Sequence, residues 1–170
     1  KYLNTPETVL FNKRKLLFGL DRSHRAIQQE GRAIVVEGYM DAISVFDAGV
    51  HNVVASLGTA FTPEHAKKLL HYAPEICFCY DSDEAGQKAL QKAMTLFDQT
   101  DVKVRIPALV GGKDPDEIIR TYGRDKFKGM LEGASNETEF RLLALRRQYN
   151  LATTQGKIDF IGGALQILAT

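Results

Sequence analysis

From residue 33 onward, short apolar runs alternate with stretches in which apolar residues recur every three or four positions. Ala33–Val36, Asn52–Ala55, Glu75–Tyr80 and Val102–Pro107 read as strands, with Tyr39–Ala48, Pro63–His71, Glu84–Phe97 and Pro115–Tyr122 as helices between them. This rhythm predicts an α/β domain around a parallel sheet of Rossmann-like type. Ile34-Val35-Val36 and Ile76-Cys77-Phe78-Cys79 are apolar at every position, as central strands covered on both faces must be. Helix starts are marked by Thr62-Pro63-Glu64 and by Asp114-Pro115-Asp116-Glu117, and Gly49 and Gly123 suit helix ends.

Two flanks follow other patterns. Residues 1–30 form a separate segment in which Thr5-Pro6-Glu7-Thr8 suits a turn or capped start, followed by Phe11, Leu16, Leu17, Phe18 and Leu20 among basic residues. Beyond residue 124 the pattern is helical: Asp125–Leu131, then Asn136–Gln148 behind a capping box, then a last helix from about Thr154 with Ile158, Ile161, Leu165 and Leu168. Gly162-Gly163 suits close packing there. The expected organisation is thus residues 1–30, 31–123 and 124–170. The chain opens on Lys1 and stops inside an apolar helical pattern, which reads as a piece of a larger protein.

With 44% hydrophobic and 25% charged residues, the composition is that of a globular domain. No run approaches the roughly 18 apolar residues of a membrane span, and no signal peptide is evident, so a cytoplasmic chain without a membrane partner is expected. Cys77 and Cys79 alternate along one strand and point to the same face, which favours buried thiols over a mutual disulfide. The four histidines lack zinc-site spacing. Net charge is +1, but residues 1–32 carry +4, residues 33–123 carry −5 and residues 124–170 carry +2. Basic flanks around an acidic middle suit a polyanion whose charge is shared between the flanks and metal ions at the centre.

That acidic middle is clustered. Glu37-Gly38-Tyr39-Met40-Asp41 and Asp81-Ser82-Asp83 each follow an apolar strand, and Asp114-Pro115-Asp116 precedes a helix. In a parallel sheet, neighbouring strand ends bring Glu37, Asp81 and Asp83 into one crevice, where like charges call for a cation. An all-oxygen donor set favours Mg²⁺ or Mn²⁺ over zinc, with substrate phosphates completing the shell. Gly38 and Gly86 suit close approach of a phosphate or metal to the backbone. Competing structural roles are as concrete: Asp83 or Ser82 suits the cap of the following helix, Asp114 the next one, Asp116 a favourable charge in a first turn, and Asp41 a surface charge. Glu37 and Asp81 have no such alternative.

Glu37-Gly38-Tyr39-Met40-Asp41 with Asp81-Ser82-Asp83-Glu84-Ala85-Gly86 resembles the TOPRIM module of bacterial primases, topoisomerases and some nucleases. Lys1-Tyr2-Leu3-Asn4-Thr5-Pro6-Glu7-Thr8, Phe11-Asn12-Lys13, Val54-Ala55-Ser56-Leu57-Gly58-Thr59 and Gly112-Lys113-Asp114-Pro115-Asp116 resemble the corresponding stretches of bacterial DnaG-type DNA primases. The resemblance runs from residue 1 to about 125, and the helical remainder is compatible with that family's C-terminal core subdomain. It implies a TOPRIM domain at residues 31–123, preceded by the end of an N-terminal polymerase-core subdomain and followed by the start of a helical one. It also implies catalytic magnesium ligands at Glu37, Asp81 and Asp83, supporting or metal-binding roles for Asp114 and Asp116, and an outer-shell role for Asp41. Lys1 and Lys13 would lie near nucleotide or template.

The implied activity is that of a DNA-directed RNA polymerase making short RNA primers at the bacterial replication fork by two-metal nucleotidyl transfer. Its partners would be single-stranded DNA template, ribonucleoside triphosphates, the RNA primer and, through a domain absent from this chain, a replicative helicase. Zinc is expected only in an absent N-terminal domain, and autonomous priming by this chain alone is not expected. Alternatives using the same carboxylates are a TOPRIM nuclease or a topoisomerase piece, though Tyr39, Tyr80 and Tyr122 fall inside the motif or its elements. A Mg²⁺-binding signalling domain phosphorylated on an aspartate is a third.

Overall fold

The computed structural model of the chain describes residues 8, 11–57, 60–97 and 100–169. Lys1, most of the Tyr2–Thr8 stretch, Gly58 and Thr59 lie outside the described residues. The chain divides into two compact units, residues 1–134 and 135–170.

The first unit contains α1 (Leu20–Glu30), β1 (Arg32–Val36), α2 (Tyr39–Asp47), β2 (Val53–Ala55), α3 (Pro63–Leu70), β3 (Glu75–Phe78), α4 (Glu84–Met94), β4 (Lys103–Ile106), α5 (Pro115–Tyr122) and α6 (Arg124–Glu132). Its strands lie in the order β2-β1-β3-β4, and every pairing among them is parallel. Ile34 of β1 sits opposite Val53 on one side and Cys77 on the other. The expected α/β architecture is therefore the one observed, with β1 and β3 at its centre. Ile34, Val36, Cys77 and Cys79 pack on one face with Ala42, Val45, Ile118 and Phe127 from α2, α5 and α6. On the other face Phe61 meets Phe78 edge-on with centroids 5.1 Å apart, and Phe78 meets Tyr80 likewise at 5.5 Å. Both cysteines are buried and free, and burial pushes the Cys77 thiol up to about 12.

Several features depart from the sequence pattern, among them the short strand at Ser135–Asn136 and a helix that ends at Arg146 rather than Gln148. The helix α1 was not anticipated, because it starts at Gly19, in a left-handed conformation with φ 81°, rather than at a capping side chain, and buries only Ser23 and Ile27. Helix α4 stops at Met94 instead of Phe97, because Leu96 and Phe97 tighten into three-residue hydrogen bonds to Ala93 and Met94. Strand β3 stops at Phe78, although the Cys79 N–H still donates to the Val35 carbonyl at 2.9 Å. Ahead of α1, Phe18 forms a single antiparallel bridge to Ala55, with reciprocal bonds of 2.9 and 3.1 Å, along the outer side of β2.

The second unit contains a two-residue strand, β5 (Ser135–Asn136), then α7 (Glu137–Arg146) and α8 (Thr154–Leu168). Asn136 caps α7 by accepting from the Glu139 N–H at 2.8 Å, and Thr153 caps α8 by accepting from Gly156 at 3.0 Å. The two helices pack together at Gly163, where an added Cβ would lie 2.9 Å from the Leu145 side chain, whereas Gly162 faces open space. Among the described residues no helix is long and apolar enough to cross a membrane.

Candidate functional site

Because β1 and β3 are adjacent and parallel, both chains leave the sheet at the same end, and Glu37 meets Asp81 there. Glu37 Oε1 accepts from the Asp81 N–H at 3.1 Å. Asp83 occupies the N-cap of α4, where Oδ1 accepts from the Gly86 N–H at 2.8 Å. Asp114 caps α5 in the same way, accepting from Glu117 at 2.7 Å. Asp41 lies in the first turn of α2 with its carboxylate against Gly38, and the main-chain amides of Gly38 and Asp116 favour its charged form. Asp116 pairs with Arg120 at 3.5 Å. The loops carrying the second and third acidic motifs are also joined: the Ser82 N–H donates to the Lys113 carbonyl at 2.8 Å, and the Ser82 hydroxyl donates to the same oxygen at 3.2 Å.

These carboxylates feel one another. Burial pushes Asp81 up to about 7, with Glu37, Asp41, Asp114 and Asp83 adding repulsion. Asp41 is raised to about 6, first by burial and then by Asp114, against the two amides that favour its charged form. Glu37 is raised by burial, the Asp81 amide opposing and Asp83 reinforcing the shift. The main chain of Lys13 lies against α3 through a 2.8 Å contact between its carbonyl and His65 Nε2.

Whether a hard cation fits is answered by Asp81. Its Oδ1 is buried without a hydrogen-bond partner, and an acceptor in that state, beside other carboxylates, suits a cation. Among the described residues, however, no three Asp, Glu, His or Cys side chains form a group able to enclose a metal by themselves. The reason is visible in the contacts above. Glu37, Asp83 and Asp114 each give an oxygen to a main-chain N–H. Capping and cation binding are not exclusive, since each carboxylate keeps a second oxygen. Such oxygen donors, too few to enclose an ion by themselves, suit a cation whose remaining shell comes from water and phosphate.

The glycines act differently from expectation. The space beside Gly38 is filled by the Asp41 carboxylate, 2.8 Å from where a Cβ would stand, and that beside Gly86 by Glu37 Oε1 at 2.8 Å and the Asp81 carbonyl carbon at 2.9 Å. They admit the protein's own carboxylates and main chain rather than an external group. Three residues act in ways the sequence pattern does not indicate: Ser82 links two loops, Glu117 Oε2 accepts from the Lys113 N–H at 2.9 Å, and Leu57, just after β2, is buried with φ 62°. A bulky side chain with positive φ is an uncommon, strained conformation of the kind concentrated at functional sites.

A family model described as Toprim-like matches residues 34–119. A DNA primase of Listeria innocua is 41% identical over 171 aligned residues, which take in 99% of this chain and 27% of that protein. Among solved structures, the RNA polymerase domain of Mycobacterium tuberculosis primase DnaG in complex with double-stranded DNA superposes with a TM-score of 0.88 at 30% identity, over 99% of this chain and 55% of that one. A DnaG primase catalytic domain bound to single-stranded DNA gives 0.79 at 33% identity, over 99% of this chain and 56% of that one. This chain thus spans about a quarter of the length of the curated relatives it matches.

Proposed function

This chain belongs to the Toprim-like family, and from its likeness to DnaG primase catalytic cores over 99% of its length we propose that it is the metal-binding half of a primase catalytic core. In this reading residues 31–123 are the TOPRIM domain, residues 1–30 end an N-terminal polymerase-core subdomain and residues 124–170 begin a helical one. The longer protein acts as a DNA-directed RNA polymerase in the bacterial cytoplasm, extending RNA primers on single-stranded template from ribonucleoside triphosphates and recruited by a replicative helicase.

Glu37, Asp81 and Asp83 would hold the catalytic cations, with Asp114 and Asp116 supporting them. Two divalent ions, Mg²⁺ or Mn²⁺, would supply neutralisation of triphosphate charge and activation of the primer 3′-hydroxyl. The side chains do the rest. Asp81 and Glu37, raised by burial, gather negative charge where a cation relieves it. Asp41, beside Gly38 of the first acidic motif, adds to the negative charge around Asp81. Lys13, and Lys1 ahead of it, would contact nucleotide or template phosphates. No side chain is required as a nucleophile, so positioning and electrostatics carry the reaction.

The single observation that carries this reading is the buried Asp81 Oδ1 that lacks a donor. Titrating the chain with Mn²⁺ by calorimetry, beside a folded Asp81→Asn/Asp83→Asn variant, tests it. Binding confined to the unsubstituted chain supports the cation site, and equal heats from both would remove these aspartates from it.

A further inference from the structure

Three consecutive cations, Lys13-Arg14-Lys15, lie on a main chain that α3 and its cap hold carbonyl by carbonyl. His65 Nε2 stands 2.8 Å from the Lys13 carbonyl, Thr62 Oγ1 donates to the Arg14 carbonyl at 2.7 Å, and Lys68 Nζ donates to the Lys15 carbonyl at 2.6 Å. Thr62, His65 and Lys68 follow one another at three-residue spacing and so share a helix face. The rungs are set internally. His65 Nδ1 accepts from the Thr62 N–H at 3.3 Å, which leaves the ring proton on Nε2 and makes that nitrogen the donor to Lys13. The Thr62 hydroxyl in turn accepts from the His65 N–H at 3.1 Å, and His65 is fully buried beside Phe61, their centroids 5.5 Å apart. Buried Leu17 closes the segment.

With their carbonyls turned into α3, Arg14 and Lys15 expose their side chains, and Lys67 and Lys68 are exposed on the helix beside them. Lys15, Lys67 and Lys68 line a groove of about 450 Å³ with His71 and Tyr72, and Glu64 is the one acidic residue lining it. We propose that Thr62, His65 and Lys68 are positioning residues that clasp residues 13–15, so that a preset row of cations meets the phosphate backbone of a single-stranded nucleic acid. The functional half of this rests on the reading of Lys13 as a template or nucleotide contact; the clasp itself rests on the three contacts alone. Fixing the main chain in advance removes an ordering cost from binding, so a loosened segment with the same charges binds more weakly.

Thr62→Val and His65→Leu each remove rungs without altering the charge of the segment. Trypsin cleavage after residues 13, 14 and 15, followed by mass spectrometry, is expected to accelerate about tenfold in both, because it reports opening of the held main chain. Binding of a labelled oligothymidylate, read by fluorescence anisotropy, is expected to weaken about three- to tenfold with an unchanged salt slope, since the number of phosphate contacts is the same. His65→Gln, whose amide retains a donor, should restore both readouts. Unchanged cleavage in both variants overturns the clasp. Faster cleavage with unchanged affinity overturns its positioning role. Wild-type affinity in Lys13→Ala removes the Lys13 reading instead and leaves the proteolysis result standing. Should His65→Leu fail to fold, Lys68→Met, which removes an exposed rung, carries the proteolysis test.

Discussion

Asp81 concentrates the electrostatic strain of the site, and its titration has a definite sign. In the unfolded chain it ionises near its ordinary 3.8, and in the fold at about 7. Between those values the folded chain binds the additional proton, so metal-free stability falls as pH rises from about 4 to about 7 and then levels. Asp81→Asn should therefore stabilise the metal-free chain by ~1–2 kcal/mol at pH 7.5, the side chain being only half-buried and partly screened, and by nothing near pH 4. Urea melts at the two pH values check this; equal differences at both would assign the effect to packing. At Gly86, Ala raises helix propensity yet places a Cβ 2.8 Å from Glu37 Oε1 and 2.9 Å from the Asp81 carbonyl carbon. Gly86→Ala should destabilise by about 2 kcal/mol and weaken Mn²⁺ binding, readable by melts and calorimetry. Glu37 and Asp81 could be singled out in the sequence because a charge next to an all-apolar strand has few structural explanations. That the amide of one would bind the carboxylate of the other depends on strand adjacency, which a single sequence does not encode.

At the level of elements, the site is assembled by helix starts. Asp83 begins α4 and Asp114 begins α5, while Asp41 lies in the first turn of α2. The position of α5 depends on Ile118, fully buried in the core cluster shared with α2 and α6. Ile118→Ala should cost about 2–4 kcal/mol and lower Mn²⁺ affinity although it removes no oxygen donor, which denaturant melts and calorimetry on the same samples would show. Elements with a capping side chain or a continuous apolar run were legible in the sequence, as the unchanged bounds of Pro115–Tyr122 illustrate. Helix α1 was not, since a glycine starts it and its buried stripe is narrow. The shortened end of α4 was also hidden, because its final turn changes hydrogen-bond spacing without changing residue type.

For the whole molecule, the primase reading makes the charge partition the control on nucleic-acid binding. The −5 of residues 33–123 lies between flanks of +4 and +2, so binding of single-stranded DNA should weaken steeply with salt and strengthen with Mn²⁺. In the longer protein, Asp81→Asn or Asp83→Asn should abolish primer synthesis while circular dichroism stays unchanged; synthesis retained in both would end their catalytic assignment. Labelled single-stranded DNA incubated with the chain and Mn²⁺ should remain uncut, cleavage being the outcome that favours a nuclease. Tyr80 is buried at 5% exposure, which leaves it poorly placed as a strand-cleaving nucleophile.

The bridge between Phe18 and Ala55 bears on how copies of the molecule behave toward each other. An edge strand with unused amides and carbonyls is a template on which another chain can add and sheets can grow. Here both main-chain groups of Ala55, the last residue of β2, are already taken by the residue just ahead of α1. One residue thus helps to end the sheet, and neighbouring copies of the molecule are offered fewer free main-chain groups on that side.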